Sequence, residues 1–306
     1  MWTIVAVGGA TQSAACADMS PLPHLYDYGT LVRRAIDLTK DTSPLRHAIT
    51  SCRGLYPGHT GTVSLASAIS RVHGHPEMYQ TCKCAPWDHD HERRIGTLRP
   101  PPPCYVMSVR DPVARLQTVF SHQTTRVHGS ARTLAVFGVR SPSEFVRAFA
   151  NASHPAHRTV YHHMNTSRGE VPLQHNDERN AALMPQAEFL RGLTNETAPL
   201  EYHAICTSRM DADWQAMLHR MPCHSPSGQP CAWQQSRLDG HTHDHAKPAG
   251  SANDTRDHAE ASAGNGSSGH ALLSDWLHLT PEEEAIVREC MYPDDAVLNR
   301  AVCLNT

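Results

Sequence analysis

The longest apolar pattern of the chain's middle runs from Cys104 to Val109, where Cys104, Tyr105, Val106, Met107 and Val109 are interrupted only by Ser108. Such a continuous short run predicts one buried β-strand. At Arg110-Asp111-Pro112 the pattern changes. Asp111 suits a helix N-cap and Pro112 the first helical position, where a missing N–H is no loss. Val113, Leu116 and Phe120 then recur at helical spacing, predicting a helix with one buried face and an opposite face carrying Arg115 and Thr118.

The same alternation recurs on both sides. HAITSCRGLY (47–56) predicts an earlier strand, a glycine-bearing turn covers Pro57 to Leu65, and ASAISRV (66–72) predicts a helix. Later, EYHAIC (201–206) predicts a strand, and MDADWQAMLHRM (210–221) a helix with Trp214, Met217, Leu218 and Met221 on one face. Further helices are expected at 31–38, at 184–190, after the capping boxes Ser141–Glu144 and Thr280–Glu283, and after Tyr292. In the last two, Ile286, Val287, Cys290 and Met291 and then Val297, Leu298, Ala301 and Val302 form the apolar sets. Strands alternating with helices imply an α/β fold, a mainly parallel sheet flanked by helices.

Two regions break the pattern. Residues 151–182 are polar and carry His162-His163, and read as an exposed connection suited to acceptor contacts. From about 222 to 270 the chain is rich in Ser, Gly and His, with an HTHDH run at 241–245, and cannot bury enough surface to offset chain entropy. The organisation expected is therefore a possible signal peptide at 1–17, a lead-in at 18–45, and one domain over 46–306 with the 222–270 insert. The leader ends in Ala15-Cys16-Ala17, which resembles an A-x-A cleavage site but lacks a basic start; an N-terminal strand is the alternative.

Composition narrows the function classes. A net charge of −3 gives no basic field for nucleic acid, and no stretch reaches the roughly 20 apolar residues of a bilayer span. The 23 histidines against 27 lysines and arginines shift much of the cationic character to lower pH. Ten cysteines and sequons at Asn151, Asn165, Asn195, Asn253 and Asn265 point to an oxidising, secretory compartment, Golgi lumen or outside the cell. Cys223 and Cys231 are the nearest sensible local pair. Cys82-x-Cys84 and His89-x-His91 match no common structural zinc spacing, so that region reads as a disulfide-tethered loop and no metal site is assigned.

The candidate chemistry is anion binding. Strand, glycine-bearing turn and helix form a phosphate cradle of backbone N–H groups, and an arginine at a strand's carboxyl end ahead of a helix is a second anion-binding device. The segment RDPVARLQTVF (110–120) resembles the RDPxxRxxSxY segment of sulfotransferases that use 3′-phosphoadenosine 5′-phosphosulfate (PAPS), especially their carbohydrate-modifying branch. The turn at 57–65 resembles that family's 5′-phosphosulfate loop, closely at Thr60, Gly61, Thr62, Ser64 and Leu65. Pro185-Gln186 with Phe189-Leu190, the Asp213-Trp214 helix, and Tyr292 with Asp295 resemble later family segments in the same order.

The resemblance implies a P-loop NTPase-like sulfotransferase fold and sulfuryl transfer from PAPS to a hydroxyl of a glycan or other acceptor. It places the 3′-phosphate on Arg110 and Thr118, with Phe120 at the usual tyrosine, and the 5′ end on His59, Thr60, Gly61, Thr62 and Ser64. His59 stands where the family has its lysine, as the cation for the departing phosphate, with Arg53 a second candidate. His89, His91 and Glu92 lie in the region that supplies the family's catalytic base. Loss of that lysine leaves an alternative: a sulfotransferase-like protein that binds nucleotide or glycan without turnover. A nucleotide kinase is disfavoured because no GK[ST] ending is present. Acceptor identity and oligomeric state are not legible.

Overall fold

A computed structural model describes residues 16, 28–41, 43–57, 60–72, 102–122, 136–166, 183–193, 201–223, 231, 234, 238 and 277–304. Among them are three parallel strands in the order β1 (Cys52–Leu55), β2 (Cys104–Val109) and β3 (Glu201–Cys206). The helices are α1 (Tyr28–Lys40), α2 (Thr62–Val72), α3 (Pro112–His122), α4 (Pro142–Ala150), α5 (His157–Thr166), α6 (Met210–Arg220), α7 (Pro281–Ile286) and α8 (Pro293–Asn299). The α/β class and the parallel sheet thus follow the sequence pattern.

β2 is central and all six of its residues are buried, as a strand covered on both faces requires. Its side chains alternate between two cores. Tyr105, Met107 and Val109 join Tyr28, Val32 and Ala35 of α1, Leu298 of α8, and Tyr202, Ala204 and Cys206 of β3. Cys104 and Val106 face Leu65, Ala66, Ala68 and Ile69 of α2 and Trp214, Met217 and Leu218 of α6. A third core is helical: Leu116 and Phe120 of α3 pack with Phe145 and Phe149 of α4, Val160 and Met164 of α5, and Val287 and Met291. Phe120, Phe137 and Phe145 meet edge to face there, with ring centroids 5.2 to 6.3 Å apart.

The lead-in is structural: α1 is longer than the 31–38 expected and buries Tyr28, Val32 and Ala35. Among the described residues four disulfides join Cys16–Cys290, Cys52–Cys104, Cys206–Cys303 and the expected Cys223–Cys231. They fit a disulfide-bonded protein of an oxidising compartment. Among the described residues, no helix is long and apolar enough to cross a membrane.

Several elements differ from expectation. The first strand is shorter than 47–56, because Ile49–Ser51 form a 3-10 turn before β1. The 151–182 connection is helical over His157–Thr166, where Val160 and Met164 supply a buried stripe that its polar composition concealed. The 184–190 helix is a 3-10 turn over Gln186–Leu190, with all five residues buried. Val297 is 51% exposed, outside the core that Leu298 enters. Glu144 does not complete a capping box: Ser141 accepts from the Glu144 N–H at 3.0 Å, but the Glu144 carboxylate takes the N–H of Arg140 at 2.6 Å. At α7 the box between Thr280 and Glu283 is complete. Of the 222–270 insert only Pro222 and Cys223 at its start and residues 231, 234 and 238 are described; the rest of that expectation lies outside the described residues.

Candidate functional site

Parallel strands bring their carboxyl ends to one edge of the sheet, and three connections meet there. After β1 the chain turns through Thr60 and Gly61 into α2, with the Leu65 N–H bonding Gly61 O at 3.2 Å. Gly61 has φ +75°, a backbone conformation that favours glycine, and a Cβ there would also push the Met210 methyl aside from 2.6 Å. Thr60 is fully buried; its hydroxyl donates to Pro57 O at 2.7 Å and shares a 2.8 Å hydrogen bond with Ser108 Oγ on β2. From the end of β3, the Thr207 hydroxyl lies 3.1 Å from Thr60 O and 2.8 Å from Val109 O. These contacts fix the turn against the end of β2, where Arg110 begins.

Arg110 is held by its backbone. Its N–H donates to Gln186 Oε1 at 2.9 Å, and Gln186 Nε2 donates to Arg110 O at 2.8 Å. Gln186 is in turn fixed by the fully buried Asp295, whose carboxylate accepts the backbone N–H groups of Gln186 and Ala187, each at 2.8 Å. The half-buried Arg110 guanidinium has its pKa lowered by burial and by Arg115, with Asp111 opposing. An arginine stays charged through such shifts. Asp111 caps α3, accepting from the N–H groups of Val113 and Ala114 at 3.0 and 3.1 Å, and pairs with Arg288 at 3.0 Å. The turn and the arginine therefore stand side by side.

Thr118 lies two turns into α3, half-buried, with its hydroxyl donating to Ala114 O at 2.8 Å. Ser64 is half-buried in the first turn of α2, and Thr62 opens that helix. Arg53 is exposed on β1. His59, His89, His91 and Glu92 lie outside the described residues. Arg115 does not lie on an exposed face: it is 2% exposed, donates to Met184 O at 2.6 Å, approaches Asp295 at 3.9 Å, and lies over the Tyr292 ring.

Sequence reasoning missed Thr207, and it quoted Gln186 and Asp295 without a role. Their partners lie 76 to 147 positions away, beyond any local pattern. An open groove of about 560 Å³ runs along α5, lined by His157, Arg158, Thr159, Tyr161, His162 and Asn165. Comparisons with protein families, curated proteins and solved structures return no match to this chain.

Proposed function

We propose that the chain is a PAPS-dependent sulfotransferase of the secretory pathway that moves a sulfuryl group to a hydroxyl of a carbohydrate acceptor. The observation that supports it is Arg110, backbone-locked at the carboxyl end of β2 beside the Gly61 turn at the end of β1. One cation and one N-terminal helix turn on adjacent strands suit a ligand with phosphate at both ends. Arg110 and Thr118 hold the 3′-phosphate, and the residues from His59 to Ser64 hold the phosphosulfate.

In the reaction the acceptor oxygen attacks sulfur, the bond from sulfur to the bridging oxygen breaks, and the acceptor proton passes to a base. Negative charge grows on the departing phosphate, where a cation stabilises it. His59 supplies that cation and His89 or His91 the base; Arg53, the second residue of β1 and in register with Tyr105, stands toward the amino end of the sheet, away from the turn. The α5 groove, with Arg158, His157, Tyr161 and Asn165, offers hydrogen-bonding and aromatic surface for a glycan.

Thermal shift with 3′,5′-ADP, ATP and Zn²⁺ tests the donor site. Stabilisation by 3′,5′-ADP, lost in Arg110→Ala, is expected; stabilisation by ATP alone overturns the reading. Transfer of label from radiolabelled PAPS to a glycan panel then separates a transferase from a nucleotide-binding relative that has lost turnover.

A further inference from the structure

At the opposite, amino end of the sheet, Cys52, Cys104 and Glu201 are register partners across all three strands. His203 lies two residues beyond Glu201 and so projects from the same face. The Cys104 Sγ, a Glu201 carboxylate oxygen and a His203 ring nitrogen all lie within 4.8 Å of one another. His203 is 5% exposed, yet among the described residues its Nε2 has no hydrogen-bond partner. Leaving such a polar atom unpaired is costly, so a buried imidazole is normally satisfied. That ring stands in the same cluster as the Cys104 sulfur and the Glu201 carboxylate.

We propose that the dithiol form of the chain binds one zinc-class divalent ion through Cys104, His203 and Glu201, with Cys52 as fourth donor, and that closing the Cys52–Cys104 disulfide abolishes the site. The donor set is two sulfurs, one imidazole and one carboxylate, which suits tetrahedral zinc. Zinc to ligand distances of roughly 2.0–2.3 Å put donors about 3.3–3.8 Å apart, a modest contraction of the observed cluster. Cys52 Sγ is already beside Cys104 Sγ through their bond.

Glu201 is pre-positioned, accepting from the Arg46 N–H at 2.5 Å and the His47 N–H at 3.2 Å, and it keeps lone pairs for an ion. It is half-buried and marks the route from solvent. Two thiolates and a carboxylate leave a zinc complex with one net negative charge, complementary to the nearby Arg220, whose guanidinium donates to the carbonyls of Asp41 and Ser43.

The exchange balances. A dithiol reductant gives two electrons and two protons to the Cys52–Cys104 bond, itself becoming a disulfide, and two thiols form. The ion then displaces the two thiol protons. The site is at the far end of the strands from Arg110 and does not depend on the proposed reaction.

The test is zinc stoichiometry of the full chain after phosphine reduction and gel filtration, against the disulfide-bonded form. Expected is one more zinc equivalent in the reduced chain than in Cys104→Ser. The same equivalent should be missing in His203→Gln, with no further loss in the double variant. Glu201→Gln, which keeps a side-chain oxygen to accept from the Arg46 and His47 N–H groups, should weaken zinc binding at least about tenfold. Full zinc retention in both His203→Gln and Glu201→Gln overturns the proposal, as does an equal complement in the disulfide-bonded chain.

Discussion

Arg115 shows how a residue's partners, not its type, decide its place. A helical wheel puts a cation outward, but this one flanks the apolar face of α3 and finds Met184 O, Asp295 and the Tyr292 ring inside. Those partners come from segments 69 to 180 positions away, so the sequence pattern had no means of showing them. Removing one member of a buried pair strands the other, at about 3–5 kcal/mol. Arg115→Met should therefore lower stability in urea unfolding by about that amount. Arg147, 63% exposed and 3.5 Å from Glu283, should lose no more than about 1 kcal/mol as Arg147→Met.

His203 supplies a second test in the disulfide-bonded chain. Burial first, and the charge of Arg220 second, lower its pKa from the ordinary 6.5 to about 4; Glu201 and the Cys104 disulfide are its other neighbours. Above pH 6.5 the ring is neutral whether the chain is folded or not, and no stability is lost. As pH falls from 6.5 to about 4 only the unfolded chain takes the proton, so stability drops by an amount approaching about 3 kcal/mol. Below that window the loss is constant. Urea midpoints measured across it should fall less steeply for His203→Gln, and equal slopes would refute the assignment.

At the scale of elements, legibility followed locality. β2, β3, α3 and α6 were readable because each is set by its own run: an apolar strand, a proline after an N-cap, or an apolar stripe. The turn at Gln186–Leu190 was legible only as a helical segment, because what anchors it is a distant carboxylate. Asp295 accepts the N–H groups of Gln186 and Ala187, the first two of the turn, which have no acceptor within it, and so caps it from 108 and 109 positions away. Through Gln186 the same carboxylate reaches the backbone of Arg110. The candidate site was thus half legible: Arg110 and the Gly61 turn announce themselves by residue type and spacing, while the Asp295–Gln186 support does not. Asp295→Ala should cost about 3–5 kcal/mol, since it leaves Arg115 buried without its charge partner. It should also speed amide exchange at Gln186, Ala187 and Arg110, while Asp295→Asn, which keeps one acceptor, should disturb these amides less. Exchange unchanged at Arg110 in Asp295→Ala would break the link between the two segments.

Over the whole molecule, two cores sandwich the sheet and a third joins α3 to the helices after it, with disulfides tying distant parts of the chain together. The bridges differ widely in the loop they close. Cys16–Cys290 spans 274 positions, Cys223–Cys231 only 8. In the chain-entropy account the long loop restrains the unfolded chain by about 5.6 kcal/mol and the short one by about 2.5 kcal/mol. The long bridge also bears on the leader, because a cut after Ala17 would separate Cys16 from the domain that holds Cys290. Non-reducing peptide mapping should recover Cys16 linked to Cys290; a chain beginning at Asp18 with a free Cys290 would contradict it. Where the bridge is found, Cys16→Ser should lower the unfolding midpoint more than Cys223→Ser. The reverse order would mean that strain or residual unfolded structure, rather than loop length, governs what these bridges contribute.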